Sequence, residues 1–178
     1  VHNIYDIFEE SLLESLEKFA SPKPYVIDCI SALKEKGIKI GSTTGYTDKM
    51  MAIVTRAAKK QGYEPDLWIS PDSVGGMGRP YPYMVFENIR RLNVSSVKNA
   101  VKVGDTISDI KEGVNAGVIS VGVIDGSSEL GLNQDELNAL SEEDRNTARA
   151  DVRKRFMEAG ADYVINDLSE LLGLPCFK

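Results

Sequence analysis

Ile4, Ile7, Phe8, Leu12, Leu13, Leu16 and Phe19 return at spacings of three and four, with Glu9, Glu10, Glu14 and Glu17 between them. That pattern predicts an amphipathic helix from Asn3 to Phe19. Ser21-Pro22-Lys23-Pro24 breaks it and opens a second helix, whose stripe is Val26, Ile27, Ile30 and Leu33 and whose stop is Gly37. Ile38 to Ser42 reads as a short strand ending in the turn Thr43-Thr44-Gly45-Tyr46. Thr47 is placed to cap the next helix, with Met50, Met51, Ile53, Val54, Ala57 and Ala58 inside it and Gly62 past its end. Asp66 to Ile69 is a second strand, followed by a Gly-rich loop from Pro71 to Pro82 and a helix carrying Val85, Ile89 and Leu92. Ala100 to Val103 is the third strand, running into Gly104-Asp105-Thr106 and a short helix with Ile110 and Val114 that stops near Gly117. Val118 to Ile124 is the fourth strand, and Gly126 to Leu140 reads as a long loop. Ser141 with Asp144 resembles a capping box opening a helix with Ala148, Val152 and Phe156, and Asp162 to Ile165 is the last strand.

Short apolar strands alternating with helices predict an α/β fold, a Rossmann-like parallel sheet with helices on both faces. In such a sheet the ligand lies beyond the carboxyl ends of the strands. The segments that follow strands, Ser42–Tyr46, Pro71–Tyr83, Gly104–Asp109 and Asp125–Gly131, should therefore converge.

Composition narrows the chemistry. A net charge of −6 over 178 residues disfavours nucleic acid, which requires a basic footprint. No apolar run reaches the roughly 18–20 residues of a membrane span, so no membrane partner is expected. Two cysteines, Cys29 and Cys176, rule out a disulfide framework and favour a cytoplasmic setting. His2 is the only histidine, which makes histidine-centred triads and multi-histidine metal sites poor candidates.

Carboxylates, hydroxyls, basic side chains and backbone amides remain. Asp105 and Asp109 stand four apart across a strand end and a helix start, a pairing that suits a hard cation such as Mg²⁺. Capping or a helix-dipole contact explains either acid alone. Gly41-Ser42-Thr43-Thr44-Gly45 offers hydroxyls and amides to a phosphate, although such turns are also ordinary caps. Gly75-Gly76-Met77-Gly78 allows close backbone approach before Arg79-Pro80, where an arginine taken alone reads as a solvated surface residue.

In order, Thr44-Gly45, Arg79-Pro80 and Gly104-Asp105-Thr106-x-x-x-Asp109 resemble the haloacid dehalogenase superfamily of phosphotransferases. Longer strings, Ile40 to Thr47, Gly78 to Met84, Val103 to Gly113 and Val121 to Leu132, are similar to the phosphonoacetaldehyde hydrolase (phosphonatase) family, and the likeness runs to about Leu172. That resemblance implies hydrolysis of the carbon–phosphorus bond of phosphonoacetaldehyde to acetaldehyde and phosphate, through a lysine imine and an aspartyl-phosphate. It implies that Thr44, Gly45 and Arg79 bind the phosphonate, with Thr44 and Arg79 acting in catalysis. Asp105 would be the direct Mg²⁺ ligand and Asp109 its support. It further implies a homodimer formed through a helical cap.

The family's nucleophilic aspartate and imine-forming lysine belong to an N-terminal motif and cap segment with no counterpart here, and none of Lys18, Lys23, Lys34 or Lys36 sits in the expected place. The chain, starting at Val1 and entering a helix at once, reads as the C-terminal two-thirds of such an enzyme, inactive alone. Residues 1–22 would be the last helix of the cap and 23–178 the haloacid dehalogenase core. The family's first strand, central in the sheet, would be missing between the strand ending at Ser42 and the strand ending at Val103. A phosphate-ester phosphatase or phosphosugar mutase of the same superfamily, and a non-catalytic phosphate- or partner-binding chain, are the alternatives.

Overall fold

The computed structural model describes residues 15–16 and 20–177. Its elements run α1 (Val26–Glu35), β1 (Gly41–Thr43), α2 (Asp48–Lys60), β2 (Leu67–Ile69), α3 (Tyr83–Arg91), β3 (Val101–Gly104), α4 (Ile107–Ala116), β4 (Ile119–Val123), α5 (Gln134–Ala139), α6 (Glu142–Glu158) and β5 (Tyr163–Ile165). The predicted helix Asn3–Phe19 lies outside the described residues apart from Ser15 and Leu16, which are helical, with Leu16 buried.

Helix ends fall where the cap chemistry puts them. The Thr47 hydroxyl accepts from the Met50 amide at the start of α2, and Thr106 accepts from Asp109 at the start of α4. Gly117 ends α4 at φ 69°, a left-handed conformation that a side chain would strain. Two expectations are corrected. β1 begins at Gly41, not Ile38, because the Ile38 amide is drawn to the Leu33 carbonyl and the Ile40 amide to the Asp66 carboxylate. The stretch read as one loop from Gly126 to Leu140 contains α5, opened by a full capping box in which Asn133 and Glu136 satisfy each other's amides.

All strand pairs are parallel. Gly41 lies opposite Leu67 in β1–β2, Val101 opposite Ile119 in β3–β4, and Val121 opposite Tyr163 in β4–β5. The sheet comes in two pieces, β1–β2 and β3–β4–β5, and among the described residues no strand joins β1 to β3. The break falls where the expectation places a missing central strand. Side chains span it: the Lys102 ammonium of β3 donates to the Thr43 hydroxyl of β1 at 2.7 Å. One strand's width on either side, about 10 Å in all, is within reach of a lysine and a threonine extended towards each other.

Both faces of the three-stranded piece are covered. On one face Val121 packs with Cys29 and Leu33 of α1, Ile40, Ile165 and Leu171. On the other, Ile110 of α4 packs with Ile124, Ala161, and Val152 and Phe156 of α6. The fully buried Phe156 ring lies on Gly122, where an added Cβ would come within 2.6 Å of it. A smaller cluster of Val85, Ala116 and Val118 joins α3 to α4. These contacts fix the carboxyl ends of the strands along one edge. No described helix is long and apolar enough to cross a membrane.

Candidate functional site

At the carboxyl end of β1, the turn carries Thr44 and Gly45, and the Thr44 hydroxyl accepts from the Tyr46 amide at 3.1 Å. Gly45 lets the guanidinium come close: a Cβ on it would stand 3.2 Å from Nη2 of Arg79. Arg79 comes from the loop before α3, which Asn115 of α4 anchors by donating to the Pro80 carbonyl at 2.8 Å. Its Nη1 donates to Oδ1 of Asp109 at 2.6 Å. The first turn of α4 therefore brings Asp109 to the same guanidinium that approaches the β1 turn. Gly104 makes this possible, since a Cβ there would be 2.2 Å from the Asp109 Cβ.

Asp109 is buried and fully engaged. Lys102 reaches its Oδ1 at 2.8 Å, and Thr106 donates to its Oδ2 at 2.6 Å. Burial pushes its carboxyl upward, but the Lys102 and Arg79 charges outweigh that and hold it at about 2. Asp105 is more open. Its Oδ2 meets the Lys23 ammonium at 2.5 Å, and the same ammonium donates to the Gly126 carbonyl. The segment after β4 thus reaches the Asp105 edge, as the sequence predicts.

Gly45, Arg79 and Asp109 are gathered through the Arg79 guanidinium, Thr44 is the chain neighbour of Gly45 in the same turn, and Asp105 precedes the cap of the helix that carries Asp109. Two lysines that sequence reasoning passed over belong to the same neighbourhood. Lys23, set aside with the other N-terminal lysines, sits on Asp105. Lys102, read only as a strand residue, pairs with Asp109 and with Glu112, which is wholly buried. A buried lysine is legible in Val101-Lys102-Val103 only as a polar interruption of an apolar strand.

Among the described residues no three acidic, histidine or cysteine side chains gather as a metal cage. A sparser donor set is present: the Asp105 carboxylate and the Gly126 carbonyl already share one cation, the Lys23 ammonium. Both are hard oxygen donors. One carboxylate completed by water and phosphate oxygens is a normal Mg²⁺ arrangement, so the residues fit such an ion. Asp109, with both oxygens taken by donors, suits support of the site rather than direct ligation.

The haloacid dehalogenase-like hydrolase model matches residues 3–117. A phosphonoacetaldehyde hydrolase of Bacillus cytotoxicus is 52% identical over 171 residues, covering 96% of this chain and 64% of the relative. One from Lysinibacillus sphaericus is 48% identical with the same coverage. A bifunctional phosphonoacetaldehyde hydrolase/aminoethylphosphonate transaminase of Clostridioides difficile is 50% identical, with this chain covering 27% of it. The crystal structure of a phosphonoacetaldehyde hydrolase-like protein from Oleispira antarctica superposes with a TM-score of 0.87 at 33% identity, over 96% of this chain and 61% of that one. The chain thus spans somewhat under two thirds of the single-function relatives it matches. With the strand-end turn, the arginine loop and the two aspartates in the superfamily's order, and with a family model matching well over half its length, this chain belongs to the haloacid dehalogenase-like hydrolases.

Proposed function

We propose that this chain supplies the phosphoryl-binding and metal-supporting half of a phosphonoacetaldehyde hydrolase, working within a polypeptide of its relatives' length. The observation that carries the reading is the meeting of the Thr44–Gly45 turn, Arg79 and Asp109 at one strand edge, built from strings that resemble that family. Thr44 would hydrogen-bond a phosphoryl oxygen, and the Arg79 guanidinium, poised by Asp109, would pair with the phosphonate. Asp105 would hold Mg²⁺ with the Gly126 carbonyl close by. The ion, when bound, offsets charge building on the phosphoryl oxygens. The attacking aspartate and the lysine that turns the aldehyde into an imine come from outside this chain. The imine is needed because a bare carbanion is a poor leaving group, and a protonated imine takes up the electron pair.

The test is to express the chain extended to its relatives' length and to measure acetaldehyde and phosphate released from phosphonoacetaldehyde. Equimolar release is expected, together with covalent trapping by borohydride in the presence of substrate. Arg79→Ala and Thr44→Ala should each lower kcat/KM by about 10²–10³-fold, as expected for donors aimed at a transferring group. Turnover of phosphate esters without acetaldehyde release or borohydride trapping would replace this reading with that of an ester phosphatase.

A further inference from the structure

Lys102 has no place in the roles above, yet it meets three side chains beside them. Its ammonium donates to Thr43 Oγ1 at 2.7 Å and lies 2.8 Å from both Asp109 Oδ1 and Glu112 Oε2. One hydrogen bond and two ion pairs, all to atoms of the protein, surround the ammonium, so Lys102 is placed to act through its partners. Those partners stand on either side of the break in the sheet: Thr43 on β1, and Asp109 and Glu112 on α4. Thr43 closes the ring by donating to Glu112 Oε2 at 2.8 Å.

The charges make the lysine specific. Glu112 is wholly buried, its Oε1 has no partner among the described residues, and Lys102 is the one cation paired with it among them. With Arg79 on Asp109, the group holds two cations and two anions. A methionine of similar length would fill the same space without balancing either acid. A packing role alone does not call for a lysine among carboxylates, given the cost of burying charge.

We propose that Lys102 is a positioning residue that sets the distance between the Thr44–Gly45 turn and the Arg79–Asp109 pair, and so sets the grip on a phosphoryl group; this rests on the reading of the site given above. The peptide bond joins Thr43 to Thr44, so a hold on the Thr43 hydroxyl registers the turn. The hold on Asp109 registers the guanidinium. The same ammonium does both, and among the described residues no backbone ladder joins the two strands.

The experiment uses the polypeptide of family length and two readings: kcat and KM for phosphonoacetaldehyde, and the affinity for inorganic phosphate by calorimetry. Lys102→Met should lower kcat/KM about 10–100-fold, with KM raised as well as kcat lowered, and weaken phosphate binding by a similar 10–100-fold. Its melting temperature should also fall, because it strands Glu112. The double variant Lys102→Met with Glu112→Gln removes that stranded charge. It should recover the melting temperature while kcat and phosphate affinity stay low, a separation that a purely structural lysine would not produce. Thr43→Val, which keeps the side chain's shape and cuts only the β1 end, should move both readings in the same direction and tests the bridge should the lysine variants fail to fold. Parental kcat and phosphate affinity in folded Lys102 or Thr43 variants overturn the inference, as does a parent that binds no phosphate. A parent whose phosphate affinity depends on Lys102 but which releases no acetaldehyde leaves the inference standing and removes the phosphonatase reading.

Discussion

Asp109 is held at about 2 against an ordinary value of 3.8, although burial by itself would move it the other way. A carboxyl depressed in the folded state stabilises the fold while it is ionised. That contribution is whole above about pH 4 and is lost as the pH falls towards 2. Its size is about 2 kcal/mol at neutral pH. Asp109→Asn should abolish this segment of the acid-unfolding curve. At pH 7 it should destabilise by about 3 kcal/mol, because Arg79 and Lys102 lose a buried counter-charge. Urea unfolding of parent and variant at pH 7 and across pH 2–5 measures both effects. An unchanged acid limb in the variant would assign the loss of stability to other groups. Thr44, Gly45, Arg79, Asp105 and Asp109 were legible because each sits in a string with neighbours of fixed type. Lys102, Glu112 and Lys23 were not, because their meaning lies in partners distant along the chain. Lys102 meets Thr43 across 59 positions, and Lys23 meets Asp105 across 82. The local sequence of Lys23 is that of a solvated lysine, and Lys102 stands out only as a polar break in an apolar strand.

Between elements, the tightest junction near the site is β3 with α4. Gly104→Ala would drive a Cβ into Asp109 and push the first turn of α4 off the strand end. Overpacking of this kind costs about 1–3 kcal/mol. We expect that loss together with a fall in turnover larger than the loss of stability explains, because Asp109 carries Arg79 with it. Thermal unfolding and steady-state kinetics on the same preparation read the two quantities. A destabilised variant with parental kcat would show that the turn moves without disturbing the guanidinium. At this scale the order of strands and helices was readable from apolar periodicity and caps. α5 was missed because six residues are too few for a period and only Leu137 is buried. Its Asn133–Glu136 box is a cap signal of the same kind as the Ser141–Asp144 pair. β1 was placed three residues early because apolar Ile38 and Ile40 suggest a ladder, while the hydrogen bonds of their amides go to a helix end and a side chain.

For the molecule as a whole, the open edges of β1 and β3 decide how residues 1–178 behave alone. Each edge leaves backbone donors and acceptors without a ladder partner among the described strands, at the centre of the sheet where neither water nor a covering helix normally serves them. We expect the isolated 178-residue chain to lack a single cooperative unfolding transition as a monomer, and to release no acetaldehyde. Calorimetry with sedimentation analysis tests the first point, and cooperative monomeric unfolding would mean that the polar bridge suffices without a ladder. The position of the break was foreseeable from the family resemblance. What fills it was not, because no side-chain pattern within these residues encodes a strand that they do not contain. The bridge has a further consequence. Since side chains and α3, whose Asn88 donates to the Ser42 carbonyl, are what tie the residue 41–69 unit to the rest, that unit can part from β3 without breaking any hydrogen bond of the β3–β4–β5 ladder. Amide hydrogens in the two pieces should then exchange with solvent on separate clocks, the 101–165 ladder outlasting the pair that carries Thr44.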